Sequence, residues 1–190
     1  LIDTISSWRI IHEHFGTNSG PMLDQFLKGG ISDEEFMADD IQHWKRVNPI
    51  IHRDELMRCY QGVTLNPGAR DLVDALKERG VSVSIVSAGV DLLIGSIAQM
   101  LNVDDWVSNG FQYDEEGLLQ DEGVVRVPAH YKGDMVEKFC RINDFEPEDI
   151  CSVGDNHTDL SMMIPGSRFI GFNPSKEMAF EGFKEAGVPI

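Results

Sequence analysis

The chain has 190 residues, 42% of them hydrophobic, enough for one sizeable core and a small second domain. Its formal net charge of −16 repels polynucleotides and anionic membranes, which excludes a nucleic-acid partner. Cys59, Cys140 and Cys151 are far apart and odd in number, and no apolar run nears the roughly 20 residues that span a bilayer, so a cytoplasmic protein without a disulfide framework is expected.

Residues 5–64 read as four short helices with no strand among them. Trp8, Ile11 and Phe15 lie near one face of the first, and Gly16 suits the residue that ends it. Met22, Leu23, Phe26 and Leu27 repeat the pattern up to Gly29-Gly30. Ser32 and Glu35 form a capping box ahead of Phe36, Ile41 and Trp44. A fourth helix runs from about Asp54 to Tyr60. His12 and His14, two apart, do not share a helical face and are read as solvated rather than as a metal pair.

The character changes at the turn formers Asn66, Pro67 and Gly68. An amphipathic helix closes at Gly80, and residues 81–87 read as a buried strand. Another helix covers "VDLLIGSIAQML", and "WVSNGFQYDEEGLLQ" reads as a strand and a hairpin turning at Glu116-Gly117. "YKGDMVEKFCRI" is helical; "DICSVG" and "RFIGF" are strands. Strands alternating with helices predict an α/β fold with a Rossmann-like parallel sheet over residues 65–190, capped by the helical segment.

In such sheets ligands sit beyond the carboxyl ends of the strands. Ser87 ends an apolar strand, with the amides of Ala88 and Gly89 behind it, a set suited to a phosphate oxygen or simply to capping a helix. Lys132 opens a helix, where the dipole disfavours a cation; it is either a needed charge or a surface lysine. Asp155 follows a strand and a glycine, and Asp159 can turn back to the same side. Two carboxylates without a histidine or cysteine pair suit Mg²⁺, although an Asx turn and a first-turn acid explain them as well. Taken together these groups fit phosphoryl transfer, in which a cation and a lysine neutralise phosphate while hydroxyl and amides orient it.

The set resembles the haloacid dehalogenase (HAD) superfamily, in its phosphoserine phosphatase-like branch. "VSIVSAG" matches the family's second motif at Ser87, "YKGDMVEK" its third at Lys132, and "GDNHTD" its fourth at Asp155 and Asp159. The helical insert stands where the branch has its cap. The resemblance implies a phosphatase that hydrolyses a small phosphorylated metabolite with Mg²⁺ through an aspartyl-phosphate. It implies Asp155 and Asp159 at the metal, Lys132, Ser87 and Asp159 as catalytic groups, and Ser87, Ala88, Gly89, Lys132 and Thr158 at the phosphate or substrate.

The family's first motif, DxDx(T/V), is absent from these 190 residues; "LIDT", residues 1–4, resembles its tail, which places the expected nucleophile just before Leu1. A phosphate-binding module without turnover, or another HAD reaction such as a phosphomutase, are the alternatives. By spacing, Ile5 and Gly62 occupy the positions at which phosphoserine-specific members carry a glutamate and an arginine, and Thr158 replaces a common asparagine.

Overall fold

The computed structural model describes residues 1–2, 6–174 and 176–190. Asp3, Thr4 and Ile5, which bear on the first motif and on specificity, lie outside the described residues. The chain forms two compact units, Leu1–Arg126 and Val127–Ile190. Among the described residues no helix is long and apolar enough to cross a membrane.

The first unit contains α1 (Ser7–Phe15), α2 (Gly20–Leu27), α3 (Asp33–Val47), α4 (Arg53–Cys59) and α5 (Ala69–Lys77). These are followed by β1 (Ser84–Val90), α6 (Asp91–Leu101), β2 (Asp105–Tyr113) and β3 (Leu119–Val124). Local chemistry sets the helix ends. Helix α1 stops at Gly16, whose φ of +66° is unfavourable for residues with a Cβ. Helix α3 starts at the expected capping box: Ser32 Oγ accepts from Glu35 N–H, and the Glu35 carboxylate accepts from Ser32 N–H. Strands β1 and β2 are parallel, in register from Ser84 with Asp105 to Ser87 with Ser108, while β2 and β3 form an antiparallel hairpin.

Strand β1 begins three residues later than expected and runs three residues further. Residues 81–83 are held by the end of α5 and by a loop, not by a strand: Val81 N–H donates to Leu76 C=O at 3.0 Å and Val83 N–H to Asp104 Oδ2 at 2.8 Å, and pairing with β2 starts at Ser84. Ala88 and Gly89 therefore belong to the end of the strand, and α6 starts only at Asp91.

The core of this unit joins helices and sheet. Ile11, Ile41, Trp44 and Leu56 pack in one cluster with Ile85, Val90, Leu93, Ile97 and Phe111. Trp8 stacks on Trp44 at 6.1 Å and meets Phe111 edge-on at 5.4 Å. The reading of His12 as solvated is wrong. His12 is 3% exposed, and its Nε2 lies 3.0 Å from Oδ1 of the wholly buried Asp40. Trp44 Nε1–H donates to His12 Nδ1 at 3.1 Å, so Nδ1 is the accepting nitrogen and the proton is on Nε2, which lies 3.1 Å from Ser19 Oγ. His14 is on the outer face, 3.4 Å from a Glu55 oxygen.

The second unit contains α7 (Gly133–Asn143), β4 (Cys151–Gly154), β5 (Arg168–Gly171) and α8 (Glu177–Glu185), with 3-10 turns at Pro147–Asp149 and His157–Met162. Strands β4 and β5 are parallel, Cys151 opposite Arg168 and Gly154 opposite Gly171. One face of this pair is sealed by Phe169 against Phe183 of α8, ring centroids 5.4 Å apart.

Candidate functional site

The residues singled out in the sequence fall in both units. Lys132, Asp155, Thr158 and Asp159 are in the second. Lys132 stands at the N-cap of α7, and its Nζ lies 2.5 Å from Asp159 Oδ1, with the two side chains only 9% and 10% exposed. A lysine at the positive end of a helix is disfavoured by the dipole; here the buried carboxylate compensates. The other oxygen of Asp159 accepts from the Asp155 N–H at 3.0 Å and the Asn156 N–H at 2.9 Å. This back-bonding holds residues 157–162 as a tight 3-10 turn. Gly154 permits it: a Cβ there would collide with the Asp159 side chain. Ser161 completes the frame, accepting from Lys132 N–H at 3.1 Å and donating to Thr158 C=O at 2.7 Å.

With Asp159 engaged at both oxygens, Asp155 is the carboxylate left facing outward. It is open to solvent on one side and crowded by protein on the others. That desolvation raises its pKa above the usual carboxylate range, and the charge of Asp159 raises it further. A desolvated carboxylate beside a second anion is relieved by a cation. Mg²⁺ takes one or two carboxylates and fills its shell with water and phosphate oxygens, so this donor set fits it. Among the described residues no three histidine, cysteine or acidic groups gather as a self-sufficient metal cluster.

In the first unit, Ser87 lies near the end of β1. Its Oγ accepts from Gly89 N–H at 3.0 Å, so that amide is occupied and not free as the sequence suggested. The Ala88 carbonyl accepts from Trp8 Nε1–H at 3.1 Å and from Asn109 Nδ2–H at 3.4 Å. Val90 N–H donates to Ser7 Oγ at 2.9 Å. Asp91, the first residue of α6, has its pKa raised by burial; Arg126 Nη1, 3.3 Å away, opposes the shift while also donating to Ser108 C=O at 3.1 Å.

Sequence reasoning missed Ser161, Trp8 and Ser7. Each acts on a backbone group of another segment, and no spacing rule announces that. Gly62, where phosphoserine-specific members place an arginine, has a φ of +90°, a conformation any residue with a Cβ rarely takes.

The chain matches the family model described as haloacid dehalogenase-like hydrolase over residues 11–165. It is 28% identical over 159 residues to a phosphoserine phosphatase of Archaeoglobus fulgidus, covering 83% of this chain and 45% of that protein. It is 30% identical over 120 residues to the phosphoserine phosphatase of Methanocaldococcus jannaschii, covering 63% and 56%. The chain thus spans about half the length of these curated relatives. A solved phospho-aspartyl intermediate analogue of phosphoserine phosphatase superposes with a TM-score of 0.78 at 22% identity, over 96% of this chain and 85% of the other. That likeness establishes the fold, a mixed α/β architecture with parallel strand pairs; the family match over most of the sequence establishes the rest: the chain belongs to the haloacid dehalogenase-like hydrolases.

Proposed function

We propose that the protein is an Mg²⁺-dependent phosphatase acting on a small phosphorylated metabolite in the cytoplasm. The observation that carries the reading is the locked loop after β4. A buried Lys132–Asp159 pair and two amide bonds fix its backbone, and leave Asp155 outward with a raised pKa. Asp155 would hold the cation. Mg²⁺ bound there would neutralise phosphoryl charge and fix an oxygen for in-line displacement. Asp159 acts one step back, orienting Lys132 and the loop amides. Lys132 supplies a positive charge that cannot swing away. Ser87 would donate its hydroxyl proton to a phosphoryl oxygen, with the Ala88 and Gly89 backbone beside it, and Thr158 would contact the substrate. The helical segment 5–64 would act as the cap that selects the leaving group. The aspartyl-phosphate route needs the first-motif aspartates, which these 190 residues do not contain.

The relatives' names make phosphoserine the first compound to try. Gly62 argues that its carboxylate would be gripped differently, so a broader panel is warranted. The test is phosphate release from phosphoserine and aryl phosphates by the protein expressed from its native gene, with Mg²⁺ and with excess EDTA. EDTA-sensitive release, lost in Lys132→Ala, is expected. Release indifferent to EDTA, or undiminished in that variant, would refute the mechanism.

A further inference from the structure

We infer that Trp8 is a positioning residue for the Ser87 hydroxyl, acting through the Ala88–Gly89 peptide. The inference rests on the reading of Ser87 as the holder of a phosphoryl oxygen. An indole N–H can only donate, and that of Trp8 donates to the Ala88 carbonyl at 3.1 Å. The peptide unit is planar and trans, so its C=O and N–H point in opposite directions. Pinning the Ala88 oxygen therefore aims the Gly89 N–H, and the Gly89 N–H donates to Ser87 Oγ at 3.0 Å. With an acceptor site of Oγ filled from this side, the Ser87 rotamer is set and its own proton is directed away, free for a ligand oxygen. Each donor in such a chain polarises the next.

Further contacts hold the relay in place. Trp8 cannot turn, being stacked on Trp44 at 6.1 Å and edge-on to Phe111 at 5.4 Å. The neighbouring Ser7 anchors the same strand end, accepting from Val90 N–H at 2.9 Å. Gly89 has no room for a side chain: a Cβ would lie 2.9 Å from Ser7 Oγ and 3.0 Å from Ser87 Oγ, disturbing both hydroxyls. Asn109 Nδ2 reaches the Ala88 oxygen at 3.4 Å, a longer and weaker second hold. Helix α1 thus does more than fill the core, because it sets the direction in which a site hydroxyl donates.

The test replaces Trp8 by phenylalanine and, to preserve ring volume, by its benzothienyl isostere, which lacks only the N–H. Inorganic phosphate is titrated into the Mg²⁺-loaded protein while the Gly89 amide resonance is followed by NMR. In the unaltered protein, phosphate shifts that resonance. In the isostere it is displaced before any phosphate is added, and phosphate binds about threefold to tenfold more weakly, the worth of one neutral hydrogen bond. kcat/KM falls by the same factor for alkyl and aryl phosphates, since the hydroxyl touches the part they share, while the urea midpoint falls by no more than the loss of one neutral hydrogen bond allows. An isostere that keeps both the Gly89 resonance and the phosphate affinity overturns the positioning role alone. If Ser87→Ala binds phosphate as well as the unaltered protein does, the reading of Ser87 falls, and the relay falls with it.

Discussion

Replacing Lys132 with methionine keeps most of the side chain's volume and deletes its charge. The ammonium sits 2.5 Å from Asp159 Oδ1 in a site where both side chains are at most 10% exposed. Removing one partner of such a pair strands a buried charge and costs about 3–5 kcal/mol. Asp159 keeps two amide donors, at 3.0 and 2.9 Å, which offset part of the loss. A value at the lower end follows, about 3 kcal/mol, and for a chain of this size a midpoint lower by roughly 6–12 °C. Adding Asp159→Asn removes the stranded charge, so the double variant should regain at least about half of the lost stability. All three tryptophans, Trp8, Trp44 and Trp106, are in the first unit, so their fluorescence is the wrong probe; amide hydrogen exchange of α7 and of residues 155–162 in urea at pH 7 reports the second unit. A loss below about 1 kcal/mol, or a double variant no more stable than Lys132→Met, would show that Asp159 is solvated when unpaired and would undo the argument.

Asp155→Asn should weaken Mg²⁺ binding at least about tenfold by calorimetry. It should also remove a destabilising charge: a carboxyl whose folded-state pKa is raised loses stability as pH rises from the ordinary carboxylate range through the raised value, so the variant's stability should be flatter over that window. Calorimetry in buffers of different ionisation heat should also show protons released on Mg²⁺ binding near the raised pKa, and none in the variant. Gly154→Ala drives a Cβ into Asp159, should cost about 1–3 kcal/mol by overpacking, and should lower phosphate release in step with Lys132→Ala. His12→Ala strands the wholly buried Asp40 and the Trp44 N–H together; a loss of about 3 kcal/mol in urea and a shift in tryptophan emission are expected, and a loss under about 0.5 kcal/mol would show the network to be dispensable.

What was legible in the sequence was written in neighbouring residues. Ser32 and Glu35 announce a helix start, and Gly16 its stop, because each satisfies backbone groups within its own turn. The loop after β4 was legible for the same reason: after a strand and a glycine, aspartates four apart can turn back to the same side, and Asp159 does bond the amides of Asp155 and Asn156. Even the occupied state of Gly89 N–H is a local event, two residues from Ser87. The direction of the Ala88 carbonyl is not, since it depends on an indole 80 residues away. A backbone group carries no residue-type signal, so its distant partners stay hidden until the chain is folded.

His12 is the instructive case, because its burial was signalled and overlooked. Separating His12 from His14 by helical face was sound, but it did not say which face points inward. Trp8, Ile11, His12 and Phe15 are spaced i, i+3, i+4, i+7, so His12 completes the apolar stripe of α1. On α3, Phe36, Met37, Asp40, Ile41 and Trp44 form a second stripe, again interrupted by one polar residue. A polar group on an apolar stripe must find a partner or bear the cost of desolvation. When two helices that can pack each carry one such group, a base on one and an acid on the other, each is the other's best available partner. The 3.0 Å His12–Asp40 contact is that pairing, and Trp44, one turn beyond Asp40, supplies the donor that fixes the imidazole's tautomer.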